Sequence, residues 1–313
     1  MNCRRPALLL ALALAVSGAA DSAIAATGGL FVRASAGWVR WWSAAAAPTA
    51  WSGADRTLTS AITWSRYGEG LELGLADLSA PGEARYTRLV VVRLDPKAHH
   101  LKLETALTAD FVLPDWRVSR APPSAALAVN AGQFSGIVPW GWLVIGGREI
   151  RPPGRGPLSS AVVIDAQGTV RLVPSHEITA VRKQGGVTYA FQSYPVLLED
   201  GGRVPAALRD ASLGVDLTHR DARLGLGVLG DGRLLLAMTR FRGLGDAADF
   251  VPVGLTNPEM AAVMGALGCR SAVALDGGIS AQLLVRNPDG RTRAWRGLRA
   301  VPLGLIAEPR ASS

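Results

Sequence analysis

A carboxylate beside two glycines is the clearest candidate for a chemical group in this sequence. Asp276 is followed by Gly277 and Gly278, and Ser280 adds a hydroxyl two residues later. Glycine has no side chain, so the backbone here can approach a ligand closely beside the carboxylate and the hydroxyl. Asp-Gly between two apolar runs is equally typical of a β-hairpin turn, which would have a purely structural role. The turn alone leaves both interpretations open.

The residues before this turn predict a helix followed by a short strand. Thr256 to Glu259 form a capping box, in which each side chain satisfies a backbone N–H at the helix start, and Glu259 is therefore expected to cap the helix. Apolar residues then recur at helical spacing as far as Leu267, which predicts one apolar stripe. Gly268 stands where a left-handed helix cap belongs, and Ser271 to Leu275 predicts a strand that ends at the carboxylate.

Three more segments combine an apolar strand with a turn that carries polar or glycine residues. The first strand stops at Asn130 and turns through Gly132. The three segments are Leu127 to Phe134, Ser193 to Gly202, and Arg223 to Val228.

Taken in order, these blocks resemble the phosphodiester glycosidase domain family. That family shows an Asn-Gly-Gly-Phe block, a Pro-x-Gly strand, a Gly-x-Pro strand with a glycine turn, an Arg-Thr-Ala-x-Gly block and a late Leu-Asp-Gly-Gly-Gly-Ser block. Here Asn130 to Phe134 matches the first block with two departures, Arg223 to Gly227 keeps the outer residues of its block, and Leu275 to Ser280 departs only at Ile279. The resemblance covers roughly residues 62 to 308.

The resemblance implies a hydrolase that cleaves the glycosidic bond of a sugar-1-phosphodiester or a related envelope glycan. The leaving group is already a stable anion, so the site must hold phosphate charge and support an oxocarbenium-like carbon. Arg223 suits the phosphate, and Asp276 suits the carbon as nucleophile, base or electrostatic partner. Asn130 completes the catalytic candidates through hydrogen bonds to sugar or phosphate. As structural alternatives, Arg223 could form a strand-edge ion pair and Asn130 could cap a turn.

Five further residues are expected to bind substrate. The N–H groups of Gly277 and Gly278 can form an anion-binding nest, and the Ser280 hydroxyl can donate to a sugar or a phosphate. Gln133 and His219 are the remaining candidates.

The N-terminus is typical of a secretory signal peptide over residues 1–25. Arg4 and Arg5 precede an apolar run, and Ala23 to Ala25 form a small-residue cleavage site. This pattern predicts export to the periplasm or secretion. No later segment has transmembrane length, so we expect no stable membrane insertion.

The remainder divides into an Ala/Trp-rich extension, residues 26–60, and a domain at 61–308. We expect the tryptophans of the extension to pack on the domain, with a sugar-stacking surface as the alternative. Short strands alternate with Gly, Pro and Asp turns, and 256–268 is the one long helical segment. The sequence therefore predicts a strand-rich single α+β domain with one prominent helix packed on the sheet.

Composition narrows the cofactors and partners. The formal net charge is +8 at pH 7, but the arginines are scattered rather than clustered in one stripe, so no nucleic-acid partner is expected. An exported basic protein suits anionic glycans or phosphate-bearing polymers instead. The histidines lack metal-ligand spacing and no acidic cluster calls for a cation, so we expect neither metal nor cofactor. Cys269, the one cysteine beyond the signal peptide, is expected to be a buried structural thiol.

Two other functions remain open on the sequence. One is an exopolysaccharide-modifying hydrolase or lyase on the same scaffold. The other is a catalytically silent cell-envelope glycan-binding protein, which would need an aromatic groove such as Trp140 and Trp142 could form.

Overall fold

Short strands that are apolar on one or both faces, separated by glycine-containing turns, determine the architecture of this chain. A computed structural model describes residues 28–105, 115–136, 138–156, 158–243 and 249–310. The strands, in chain order, are β1 (Gly29–Ala34), β2 (Gly37–Ser43), β3 (Thr63–Gly68), β4 (Leu71–Ser79), β5 (Thr87–Leu94), β6 (His99–Thr105), β7 (Leu127–Asn130), β8 (Phe134–Ser135), β9 (Val138–Pro139), β10 (Leu143–Ile145), β11 (Arg148–Arg151), β12 (Ser160–Asp165), β13 (Val170–Pro174), β14 (Val187–Ser193), β15 (Val196–Leu198), β16 (Leu224–Leu229), β17 (Leu234–Phe241), β18 (Cys269–Leu275), β19 (Leu283–Arg286), β20 (Thr292–Trp295) and β21 (Leu303–Pro309). The α-helices of the described residues are α1 (Arg56–Ser60), α2 (Ile178–Gln184) and α3 (Asn257–Ala266).

The strands form three large antiparallel sheets. The nine-stranded sheet has the order β15-β18-β16-β17-β5-β4-β1-β2, with β3 also paired to β4. The two five-stranded sheets have the orders β11-β10-β14-β12-β13 and β20-β19-β7-β21-β6, and β8 pairs with β9 in a small ribbon. Strands distant in sequence are therefore neighbours, which brings the ends of β7, β16 and β18 within reach of one another.

The main core lies between the sheets, and a second core lies on the other face of the nine-stranded sheet. Strand β5 contributes to both cores. Leu89 and Val91 pack into the core beside α3, whereas Val90, Val92 and Leu94 face the core shared by the three sheets. Successive side chains of a strand point to opposite faces, so a strand buried on both faces is almost uniformly apolar.

The predicted α+β domain with one prominent helix is wrong, because the fold is mostly β. Helix α3 has the predicted capping box between Thr256 and Glu259, and Gly268 follows its end with a φ of +91°. The helix has only 10 residues, and all of them from Glu259 to Ala266 are buried, so it has no one-sided apolar stripe. Its small residues allow neighbours to cover it on every side: the Trp51 indole, for example, lies directly over Gly265.

The N-terminal residues that the structure describes are built into this arrangement. Strands β1 and β2 extend the nine-stranded sheet, and Trp42 is buried in the second core, with Trp41 and Trp51 packed against it. The expected signal peptide, residues 1–25, lies outside the described residues. No helix in the described part of the chain has the length and apolarity needed to cross a membrane.

Candidate active site

The turn after β18 connects two different sheets and is not a hairpin. Strand β18 pairs with β15 and β16, whereas β19 pairs with β7 and β20. Leu224 of β16 pairs with Leu275 of β18 in antiparallel register. Arg223 directly precedes Leu224, and Asp276 directly follows Leu275. Because the strands are antiparallel, Arg223 and Asp276 lie at the same end of this strand pair.

Asn130 fixes the backbone around Asp276. It is fully buried at the end of β7, and its Nδ2 donates to the Asp276 carbonyl at 2.8 Å. The N–H of Gln282 donates to its Oδ1 at 2.9 Å, and the N–H of Asp276 donates to the carbonyl of Gly132 at 3.0 Å. These hydrogen bonds join two sheets at the backbone of Asp276. The Asn130 side chain uses both its amide groups in bonds to the protein backbone.

The Asp276 carboxylate is largely buried and is held by an arginine that sequence reasoning missed. Arg299 Nη2 lies 3.0 Å from Asp276 Oδ2, and Arg299 Nε donates to the Ser280 Oγ at 2.6 Å. The side chain of Asp276 is 21% exposed and that of Arg299 is 45% exposed. Burial raises the pKa of the Asp276 carboxyl, while hydrogen bonding to Ser280 and the charge of Arg299 oppose that rise.

A second carboxylate, Asp221, lies against Gly278 of the glycine turn and was also missed. Its Oδ2 lies 2.7 Å from the position that a Cβ on Gly278 would occupy, and its Oδ1 accepts the N–H of Ala222 at 2.8 Å. Burial raises the pKa of Asp221 and the charge of Asp276 raises it further, whereas Arg223 lowers it. Asp221 is two residues from Arg223 in sequence, but only the sheet register shows that it belongs here.

Arg223 is anchored to the backbone. Its Nε donates to the Leu255 carbonyl at 2.8 Å, and its Nη2 donates to the His219 carbonyl at 2.6 Å. Burial lowers its pKa, and the negative charge of Asp221 opposes this effect. Arg223 therefore lies in the site as a fixed positive charge beside Asp221. Arg299 is the more accessible guanidinium, and no local pattern distinguishes it from the many other arginines of the sequence.

The glycines are required by the close packing of the turn on the start of β16. A Cβ on Gly277 would lie 2.4 Å from the Ala222 carbonyl oxygen, and Gly278 has a φ of +54°. The N–H of Gly278 donates to that same carbonyl at 2.7 Å, so it is already committed and does not point into an open anion nest. Ser280 is buried, with its hydroxyl at Arg299.

The two remaining candidates are Gln133 and His219. Gln133 Nε2 donates to the Tyr194 carbonyl at 2.9 Å, and the exposed Tyr194 ring meets Trp140 edge-on at 4.9 Å. Exposed His219 has its Nε2 3.9 Å from Asp221 Oδ2. Trp142, the other residue considered for an aromatic groove, is buried.

Other titratable groups have structural roles. Glu259 caps α3, as expected, and also binds Arg220 through both carboxylate oxygens at 2.7 and 2.8 Å. Cys269 is buried, which raises its pKa far above its usual range. Within the described residues, no three His, Cys, Asp or Glu side chains converge as a metal site would require.

Comparisons with known proteins add to this geometry. Residues 123–307 match the sequence profile of the phosphodiester glycosidase family. Among solved structures, the chain is similar to the auto-inhibited catalytic domain of zebrafish N-acetylglucosamine-1-phosphodiester alpha-N-acetylglucosaminidase, with 16% identity, a TM-score of 0.56, and coverage of 83% of this chain and 87% of that one. A Burkholderia pseudomallei protein aligns with 18% identity and a TM-score of 0.48 over 74% of this chain and 75% of its own.

A hypothetical protein from Synechocystis aligns with 16% identity and a TM-score of 0.48. The alignment covers 80% of this chain and 64% of the Synechocystis chain, just under two thirds of its length. A search of curated protein sequences finds no match. The zebrafish similarity shows a shared fold.

Proposed function

The chain belongs to the phosphodiester glycosidase family, since the family profile matches more than half of it, and from that premise we propose that it hydrolyses the glycosidic bond of a sugar-1-phosphodiester. The resemblance drawn from the sequence blocks is confirmed, and a glycosidase-type hydrolase is the activity that the family indicates. The proposal adds the substrate, a sugar phosphodiester or related envelope glycan, and the export of the protein to the periplasm or beyond.

One observation carries the proposal: two largely buried carboxylates, Asp276 and Asp221, lie at the same glycine turn with guanidinium groups beside them. Glycosidases generally use two carboxyl groups on either side of the scissile bond. Burial raises the pKa of both carboxyls, and the charge of Arg299 opposes that rise at Asp276 as the charge of Arg223 does at Asp221. Carboxyl groups whose pKa is shifted by burial beside a specific charged partner are typical of a functional site.

The reaction can be assigned to these groups step by step. The phosphate of the substrate binds at Arg299, whose exposed guanidinium can bind two oxygens in parallel. As the bond between C1 and the phosphate oxygen breaks, the Asp276 carboxylate stabilises the positive charge that develops at C1. Water then bonds to C1, and its proton passes to Asp221, whose raised pKa makes it a better base than an ordinary aspartate.

Arg223, Asn130 and Gly278 have positioning roles in these steps. The guanidinium of Arg223 sets the charge around Asp221, and Asn130 holds the peptide of Asp276 in place. Arg223 also remains a candidate for a direct phosphate contact, which a substrate complex would reveal.

The test is release of sugar from a panel of glycosyl phosphodiesters that includes the methyl ester of N-acetylglucosamine-1-phosphate. Asp276→Asn and Asp221→Asn are each expected to lower kcat by about 100-fold or more, the usual contribution of a positioned carboxylate. Arg299→Leu is expected to raise KM as well, because phosphate binding is lost. Asp289→Asn, on an exposed turn at the far end of β19, is the matched control.

Two outcomes would contradict the proposal. Turnover retained in Asp276→Asn would remove the carboxylate from the chemistry. No turnover on any ester, combined with glycan binding that all variants retain, would favour the catalytically silent binding protein.

A further inference from the structure

Apolar side chains are exposed to solvent directly beside the candidate active site. Phe250 and Ile279 are each 42% exposed, and Leu298 is 51% exposed. Ile279 belongs to the turn that follows Asp276, between Gly278 and Ser280. Exposed apolar groups grouped at a site are typical of a surface that a ligand or partner covers.

The position of these side chains relative to Asp276 is fixed by hydrogen bonds. The N–H of Leu298 donates to the Ile279 carbonyl at 2.8 Å, so the two residues lie side by side. Arg240 is 1% exposed, and its Nη2 donates to the carbonyls of Ala281 and Arg296 at 2.9 and 3.0 Å. The buried guanidinium thereby ties the irregular segment 296–299, which follows β20, to the end of the turn that carries the catalytic candidates.

Phe250 and Leu298 line a cleft of about 460 Å³, and Gly297, in the same lining, lies close to the carbonyls of Ile279 and Ser280. Phe250 and Leu298 supply exposed apolar surface, Trp295 is almost wholly buried behind them, and the exposed Arg293 and Arg296 supply positive charge. Asp249 also lines the cleft, where it acts electrostatically on Arg240, and Arg88, on the same wall, lies 3.8 Å from Asp77. The cleft thus combines the apolar side chains of Phe250 and Leu298 with charged groups, and Leu298 directly precedes Arg299 in the chain.

We propose that this cleft is the aglycone subsite and that it accepts a phosphate ester bearing an unbranched alkyl or similar lipid chain. The inference rests on the proposed function and specifies its substrate class: the sugar lies at Asp276, the phosphate at Arg299, and the chain along Ile279, Leu298 and Phe250. Charge complementarity favours this occupant, because an alkyl phosphate combines the anion that the arginines bind with the apolar tail that the exposed side chains would cover.

The experiment measures binding of methyl, butyl and octyl phosphate to the full chain by titration calorimetry. A fully buried methylene strengthens binding about fourfold and a half-covered one about twofold, so the seven additional methylenes of octyl phosphate should make it bind about 100-fold more tightly than methyl phosphate. Leu298→Ser and Phe250→Ser are both surface changes, and each should reduce that ratio at least about fivefold. Val39→Ser, at an exposed position on β2 at the distant edge of the nine-stranded sheet, should leave the ratio unchanged.

Equal affinity for methyl and octyl phosphate, or an unchanged ratio in both cleft variants, would overturn the subsite. The subsite would also be overturned if the cleft variants no longer sedimented with anionic phospholipid vesicles while alkyl length had no effect on phosphate binding. The apolar patch would then bind a membrane surface. Because these ligands carry no sugar, the result is independent of turnover. If the protein releases sugar but its affinity for alkyl phosphates does not depend on chain length, only the subsite is rejected. If affinity depends on chain length but no ester releases sugar, the proposed reaction is rejected.

Discussion

Replacing Asn130 by alanine should destabilise the protein and inactivate it together. The change removes a donor to the Asp276 carbonyl and an acceptor for the Gln282 N–H, at distances of 2.8 and 2.9 Å. Asn130 and Gln282 are both essentially inaccessible to water, so solvent does not replace these bonds. A buried polar group left without a partner costs about 1–3 kcal/mol, which gives about 3 kcal/mol for the two together.

The assay is urea unfolding followed by intrinsic tryptophan fluorescence, with thermal unfolding in parallel. For a chain of this size, 3 kcal/mol corresponds to a fall in Tm of about 5 °C. Asn287→Ala is the matched control, because the Asn287 side chain accepts the N–H of Arg291 and donates to Asp289 at 3.4 Å in a surface turn, so its loss should cost no more than about 1 kcal/mol. Sugar release should fall in Asn130→Ala even under conditions where the variant remains folded, since the peptide of Asp276 loses its anchor.

A loss of less than 1 kcal/mol in Asn130→Ala would refute this reasoning. It would mean that the strand ends hold their positions without the amide. Full activity in a folded Asn130→Ala protein would separately refute its role in positioning Asp276.

The remaining predictions concern the charge and the backbone of the same turn. Arg299→Leu removes a positive charge that lowers the pKa of Asp276, so the pKa of Asp276 should rise further. The acidic limb of the kcat–pH profile should then move to higher pH. An unmoved limb would show that Asp276 is not the group whose ionisation limits activity. Gly278→Ala should cost about 2–3 kcal/mol in urea unfolding, because it combines a φ of +54° with a Cβ only 2.7 Å from Asp221 Oδ2. In Gly290→Ala, φ is +83° but nothing lies within 4 Å of the new Cβ, so about 1 kcal/mol is expected; equal losses in the two variants would contradict the close packing described for the turn.

Features that depend on neighbouring residues were predictable from the sequence. The capping box at Thr256 and Glu259, the left-handed Gly268 and the strand end at Asn130 all follow from groups within a few positions of one another. Their physical causes are hydrogen bonds and backbone preferences that act over one turn or one strand. The order of such blocks along the chain was also enough to identify the family.

Features that depend on distant partners were decided only by the tertiary structure. The sequence predicts one amphipathic helix, but the small side chains of α3 let strands and Trp51 surround it, and the fold as a whole is mostly β. The apolar runs on both sides of Asp276 are as compatible with a hairpin as with the two separate sheets that the strand register shows.

The same limit applies to the candidate site. Asp276 is evident in the sequence because its glycines follow it directly, whereas Arg299 is 23 residues away and binds it only after segment 296–299 folds back on the turn. Asp221 joins the site through the pairing of β16 with β18, and the same register places Arg223 there. The sequence by itself thus determined the helix cap, the strand ends and the family, while contacts between distant segments decided which charges surround the carboxylate, because electrostatic partners are set by distance in space.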